Sequence, residues 1–273
     1  MSVISGKLGY RASLFWITFA VFVFFFALLM QGMPIPAIQI FFLVMAVCGA
    51  YLAPFPAERY AAGREAMFAR LSLRRLPVSD CLLIALAALL LLPALTMLFE
   101  QGMRLIPGYP DYARNAEAVF RRGLAEQGVC TLFCSLAALS AICEEFFFRG
   151  LFASGLRETG LSRPVRIFSG ALFFAIMHLD PWRLLPMCTL GMIMMWLVER
   201  SGSIWAPVIY HCTNNASVLG LSLLRSTQAA SADSAEVQDF FLTGSPAPVS
   251  VLFALIPAVF GLYALRRSKE RKY

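Results

Sequence analysis

Long apolar runs separated by short polar stretches limit what this chain can fold into more than any other feature. A run of about 20 apolar residues crosses the hydrocarbon core of a bilayer at about 1.5 Å per residue. Eight such runs can be drawn, roughly at 12–31, 36–54, 79–99, 129–157, 163–180, 183–199, 203–223 and 249–266. They are continuously apolar rather than alternating, and a backbone in lipid must satisfy its own hydrogen bonds, so they predict helices rather than a barrel. A chain with 59% hydrophobic and only 14% charged residues is not a water-soluble globule. The expected fold is an all-α polytopic membrane protein with about eight transmembrane helices.

The first run follows Lys7 and Arg11 as a signal peptide would. It is too long for a typical signal core and has no convincing small-x-small cleavage site, so it reads as a retained helix. The net charge of +7 does not mark a nucleic-acid partner, because the basic residues lie between the apolar runs instead of forming one face. Placing the runs as spans puts 17 of the 23 Lys and Arg residues on the side that holds both termini. That excess predicts both termini in the cytoplasm, and the compact loops suit the inner membrane of a bacterium. Two longer polar segments, 100–128 and 224–248, fall on the opposite side, the first with an amphipathic stretch around Ala113–Gln127 that reads as a surface helix.

Seven cysteines lie almost wholly within apolar segments and show no CxxC spacing, so they read as small packing residues. Ionisable groups inside spans cost about 2.5–3.5 kcal/mol each on insertion and call for a purpose. Five stand out: Glu144, Glu145, Arg149, His178 and His211. On a helix Glu145 and Arg149 are i and i+4, the favourable order for an ion pair, while Glu144 points about 100° away. One carboxylate is thereby neutralised and the other left to take a proton from water and return it to a leaving group. Leu161 lies midway between Glu144 and His178, 17 residues from each. If the fourth and fifth spans form a hairpin there, both side chains sit at the same depth, roughly 20 Å from its end.

Phe174 precedes His178 by one turn and would wall the site, and Asn215 shares a helix face with His211. His211 lies only about 12 Å into its span, shallower than His178, so tilt or a break at Pro186 or Pro207 is needed to bring the two level. Cys143 and Cys212 adjoin these groups, but apolar burial disfavours a thiolate nucleophile. A hydrolase fits best. A non-catalytic membrane scaffold and a proton-coupled transporter stay open, although no repeat symmetry supports transport.

The sequence resembles the CPBP family of CAAX-processing and bacteriocin-processing intramembrane endopeptidases over about residues 129–223. That family's pattern is Glu-Glu-x-x-x-Arg, then Phe-x-x-x-His, then His-x-x-x-Asn. Here the three elements are Glu144-Glu145-Phe146-Phe147-Phe148-Arg149, Phe174 to His178, and His211 to Asn215, in order and on separate expected helices. The resemblance implies a site formed by helices four, five and seven. In it Glu144 and His178 activate water, His211 and Asn215 form an oxyanion hole, and Glu145, Arg149 and Phe174 give support.

It also allows zinc or another divalent cation held by Glu144, His178 and His211. The spacing lacks the compact HExxH arrangement, so no metal or other cofactor is favoured. The implied partners are the lipid bilayer and a membrane protein or peptide substrate, with prenylated substrates not expected. The whole of 1–273 then reads as one membrane domain. It has N-terminal helices and loops over 1–128, a catalytic core over 129–223, and a final helix with a basic tail over 249–273.

Overall fold

The structure, a computed structural model, describes residues 35–52 and 64–228. The first and eighth expected spans, at 12–31 and 249–266, lie outside the described residues, as does most of the 224–248 segment. Every element among the described residues is helical. In chain order they are α1 (Ile35–Leu52), α2 (Arg64–Arg70), α3 (Val78–Arg104), α4 (Tyr109–Leu132), a π-helical segment π1 (Phe133–Leu139), α5 (Ser140–Glu145), a second such segment π2 (Phe146–Phe152), α6 (Ala153–Glu158), α7 (Arg163–Ile176), α8 (Leu184–Ser201) and α9 (Trp205–Gln228).

Among the described residues three stretches are long and apolar enough to cross a membrane, Val78–Thr96, Val129–Glu158 and Leu184–Ser201, which makes this a multi-pass membrane protein. A shorter apolar stretch covers Pro36–Tyr51.

The described residues fall into two compact units, one from 35–52, 64–76 and 139–208, the other from 77–138 and 209–228. In the first, α1 packs on α5 and π2, and α7 packs on α8. Phe42 of α1 meets Phe147 and Phe148 of π2 at ring-centroid distances of 5.0 and 5.7 Å, and Phe148 in turn meets Phe174 of α7 at 5.1 Å. The α7–α8 contact is close because Gly191 has no side chain: a Cβ there would stand 2.9 Å from the Ala171 Cα. Small residues of this kind let apolar helices approach where lipid gives no hydrophobic driving force. Arg70 closes α2 onto α1 by donating to the Ala50 carbonyl at 2.9 Å.

In the second unit α3 carries Pro93 within it, and α4 starts after Gly108 and kinks at Gly128, both at positive φ. Most of α4 is exposed, as expected for a surface helix over Ala113–Gln127.

The fifth expected span, 163–180, is shorter than its sequence suggests, because α7 stops at Ile176 and His178 lies in the turn beyond it. The cause is local. Pro181 disfavours a helical conformation at Asp180, Leu179 takes a positive φ of 52°, and the Asp180 carboxylate accepts the Trp182 N–H at 3.0 Å. The cysteines also divide: Cys143 and Cys188 are buried packing residues, whereas Cys48, Cys130 and Cys134 are exposed.

Candidate active site

The Glu-Glu pair lies on a helix that twice leaves α geometry. α5 is a single short α-helical stretch between π1 and π2. π-turns are rare and concentrate at functional sites, because the extra residue frees a carbonyl and re-aims the side chains that follow. Within α5, Ser140 and Glu144 are i and i+4, so they share a face. The Ser140 hydroxyl donates to Glu144 Oε1 in a short hydrogen bond. Glu144 is half-buried and forms no ion pair among the described residues. Nothing in the sequence motif points to Ser140, although its place one turn before a site carboxylate is a signal that could have been read.

Glu145, one residue on, has the opposite surroundings. It pairs with Arg149 at 2.9 Å, and both side chains are 0% exposed. The i,i+4 order read from the sequence therefore closes as an ion pair. Burying two charges is costly unless the geometry is good, and removing one partner of such a pair costs about 3–5 kcal/mol.

The Arg149 guanidinium also sits 4.1 Å from the centre of the Phe174 ring, joining the first motif to the second. A cation over an aromatic face away from water contributes about 2 kcal/mol. Phe174, in turn, holds His178 in two ways. The rings meet edge to face at 4.7 Å, and His178 Nδ1 lies 2.8 Å from the Phe174 carbonyl. A carbonyl only accepts, so in the neutral ring the proton is on Nδ1 and the lone pair on Nε2. Glu145, Arg149, Phe174 and His178 thus form one contiguous support.

Two uniform helices meeting at equal depth do not describe this geometry. π2 lies between Glu144 and the connecting turn, and His178 stands past the end of α7. His178 is tied to the first motif through Phe174 and Arg149.

The third motif belongs to the second unit. His211 is buried on α9, at 7% exposure. Asn215, one turn later, donates to the Leu136 carbonyl in π1 at 3.0 Å. One amide proton of Asn215 is thereby engaged, leaving its second for other use. Asn214, which the motif passes over, is buried beside it.

Within each unit, no three His, Cys, Asp or Glu side chains among the described residues are gathered as metal ligands. Glu144 and His178 belong to the first unit and His211 to the second.

Residues 126–217, about a third of the chain, match the family model described as Type II CAAX prenyl endopeptidase Rce1-like. The matched region contains all three motifs, from Glu144 to Asn215. No curated protein and no solved structure matches the chain. Over residues 126–217 the chain is thus similar to the CAAX-type endopeptidases, the family that its Glu-Glu, Phe-His and His-Asn motifs resemble.

Proposed function

We propose that this protein is an intramembrane endopeptidase that hydrolyses a peptide bond of a membrane-associated protein or peptide with a glutamate-activated water. The observation that carries this reading is the contrast between two neighbouring carboxyl groups. Glu145 is fully buried and paired with Arg149, whereas Glu144 is half-buried and bonded by a hydroxyl. A carboxylate that holds a hydroxyl but no cation keeps a lone pair with which to take a proton from water.

In this mechanism Glu144 removes one proton from the water while His178 Nε2 accepts a hydrogen bond from the other. The hydroxide attacks the scissile carbonyl carbon. His211 and Asn215, assigned on the strength of their motif, donate to the oxyanion, an effect worth about 3–4 kcal/mol per donor. Glu144 then returns its proton to the leaving nitrogen as the C–N bond breaks. Glu145 and Arg149 keep the Phe174 platform in place, and the chemistry runs without a metal or other cofactor.

The same reading places the site on the fourth, fifth and seventh of eight spans. Both termini then lie in the cytoplasm, in a cell inner membrane, as the excess of Lys and Arg on that side favours.

Replacing Glu144 by Gln keeps the shape and the Ser140 contact but removes the base. Turnover in proteoliposomes is expected to fall by roughly 10²–10⁴-fold, with an unchanged thermal midpoint. Proteomics of membranes carrying the wild-type or Glu144→Gln protein should reveal the precursors that accumulate, and these serve as substrates for the assay. Cleavage at the wild-type rate by Glu144→Gln would sink the assignment.

A further inference from the structure

The orientation of the His178 ring depends on the way α7 ends. In a continuing helix the His178 N–H would donate to the Phe174 carbonyl, four residues back. Here it donates to the Ala175 carbonyl at 3.2 Å, and the Leu179 N–H donates to the Ile176 carbonyl at 3.0 Å. The last turn is thus tightened to bonds that span three residues, as helix ends often are. Phe174 is among the residues whose carbonyls a helix end leaves to other donors, and His178 Nδ1 lies 2.8 Å from it. The ring takes the place that the backbone N–H would hold in a longer helix.

Two residues keep the end of α7 in this form. Leu179 takes a φ of 52°, in the left-handed region that a leucine enters only when its surroundings require it. Asp180 supplies the requirement. Its carboxylate accepts the Trp182 N–H at 3.0 Å, and its carbonyl accepts the Arg183 N–H at 3.1 Å. An aspartate that bonds the N–H two residues on makes a turn of its own. Pro181, inside that turn, has no N–H and disfavours a helical Asp180. The chain then reverses into α8, which starts at Leu184.

Backbone strain persists only where neighbours over-determine it, and it gathers at functional sites. Among the described residues Leu179 and Ser72 are the ones other than glycine at positive φ. Leu179 stands between the histidine assigned to the water and the aspartate that closes the turn. What Asp180 gives the turn is an acceptor oxygen for the Trp182 N–H. An amide oxygen can fill that role as well as a carboxylate.

We propose that Asp180 is a positioning residue for His178. By closing the turn after the strained Leu179, it holds the end of α7 so that the Phe174 carbonyl goes to the imidazole, which fixes the proton on Nδ1 and the lone pair on Nε2. It acts as a hydrogen-bond acceptor and not as a charge. The effect on turnover rests on the reading of His178 as the group that accepts a hydrogen bond from the water; the effect on the ring does not.

The chain has two histidines, so isotope labelling of the ring nitrogens in the full-length, detergent-solubilised protein gives two imidazole signals, and His211→Gln identifies the one from His178. Spectra at about pH 9, where an ordinary imidazole is neutral, tell a protonated ring nitrogen from a bare one. Wild-type His178 should carry its proton on Nδ1 alone. Asp180→Ala should mix the two tautomers and lower kcat by up to roughly 100-fold, the cost of a misplaced group, at unchanged KM. Asp180→Asn should restore both. Leu179→Val, whose branched Cβ resists positive φ, should mix the tautomers too, whereas Leu179→Asn, a type that tolerates it, should not. This second pair keeps the idea testable even if Asp180→Ala fails to fold. A single tautomer on Nδ1 in both Asp180→Ala and Leu179→Val, or equal damage from Asp180→Asn and Asp180→Ala, would overturn the proposal. Tautomers that respond while kcat does not would uphold the hold of Asp180 on the ring and remove His178 from the chemistry.

Discussion

Two ion pairs with the same residues, the same order and the same spacing behave as different objects in this molecule. Glu145 and Arg149 in the first unit are 2.9 Å apart and wholly buried. Glu117 and Arg121 on α4 in the second are 2.7 Å apart, with side chains 54% and 44% exposed. Helical spacing explains why each pair forms. Surroundings decide what each is worth. In water, attraction between the charges is screened and offset by the entropy of holding two long side chains. Out of water, the same attraction is strong, and losing a partner leaves a buried charge. The buried pair also has a second function, since Arg149 lies on the ring that positions His178.

The largest effect is expected at Arg149. Arg149→Met leaves the Glu145 carboxylate without its ion-pair partner in an apolar core, and should destabilise the protein by about 3–5 kcal/mol. Unfolding of the detergent-solubilised protein, followed by helical signal, measures this. The double variant Glu145→Leu/Arg149→Met, which removes both charges, should recover most of that stability. It should not recover turnover, because the cation under Phe174 is still missing. If activity returned with stability, Arg149 would have no part in positioning His178.

A smaller effect separates the two carboxyls of the site. Ser140→Ala removes the hydroxyl on Glu144 and should cost about 0.5–1.5 kcal/mol of stability, the net worth of one hydrogen bond. Turnover is expected to fall by roughly tenfold, at most the lower end of what a positioned base contributes, with KM unchanged. Ser140→Thr, which restores the hydroxyl, should rescue it. A variant that lost stability but kept turnover would show that Ser140 serves the fold alone.

Most of this contrast could be read from residue order, and its failures have physical reasons. The apolar stretches at Val78–Thr96, Val129–Glu158 and Leu184–Ser201 were visible because continuous hydrophobicity is a local property. The Glu145–Arg149 pair was visible because i,i+4 geometry is local too. The turns π1 and π2 were not, since an extra residue per turn leaves no periodicity in so short a stretch, and π2 packs on α1, a partner far away in sequence. The two uniform helices on which Glu144 and His178 would be level points are not what the fold has, because π2 follows Glu144 and α7 ends at Ile176, before the break at Pro181. The hold of Phe174 on both Arg149 and His178 joins residues 25 and 4 positions apart, and only the longer link needed the fold.

The smallest expected effect lies at Arg121, where the comparison is most easily broken. Arg121→Ala removes the cation of the exposed pair on α4 but keeps a strong helix former in its place. With both side chains in solvent, the change in stability should stay within about 0.5 kcal/mol. Whatever remains should shrink further at about 1 M salt, where charges are screened beyond roughly 3 Å. Turnover should be unaffected, since Arg121 bonds Glu117 on α4, a helix that carries none of the three motifs. Parallel unfolding of Arg121→Ala and Arg149→Met under one set of conditions measures the ratio directly. If the two losses were equal, α4 would be as sequestered from water as π2, and burial could not be what makes the Glu145–Arg149 pair matter.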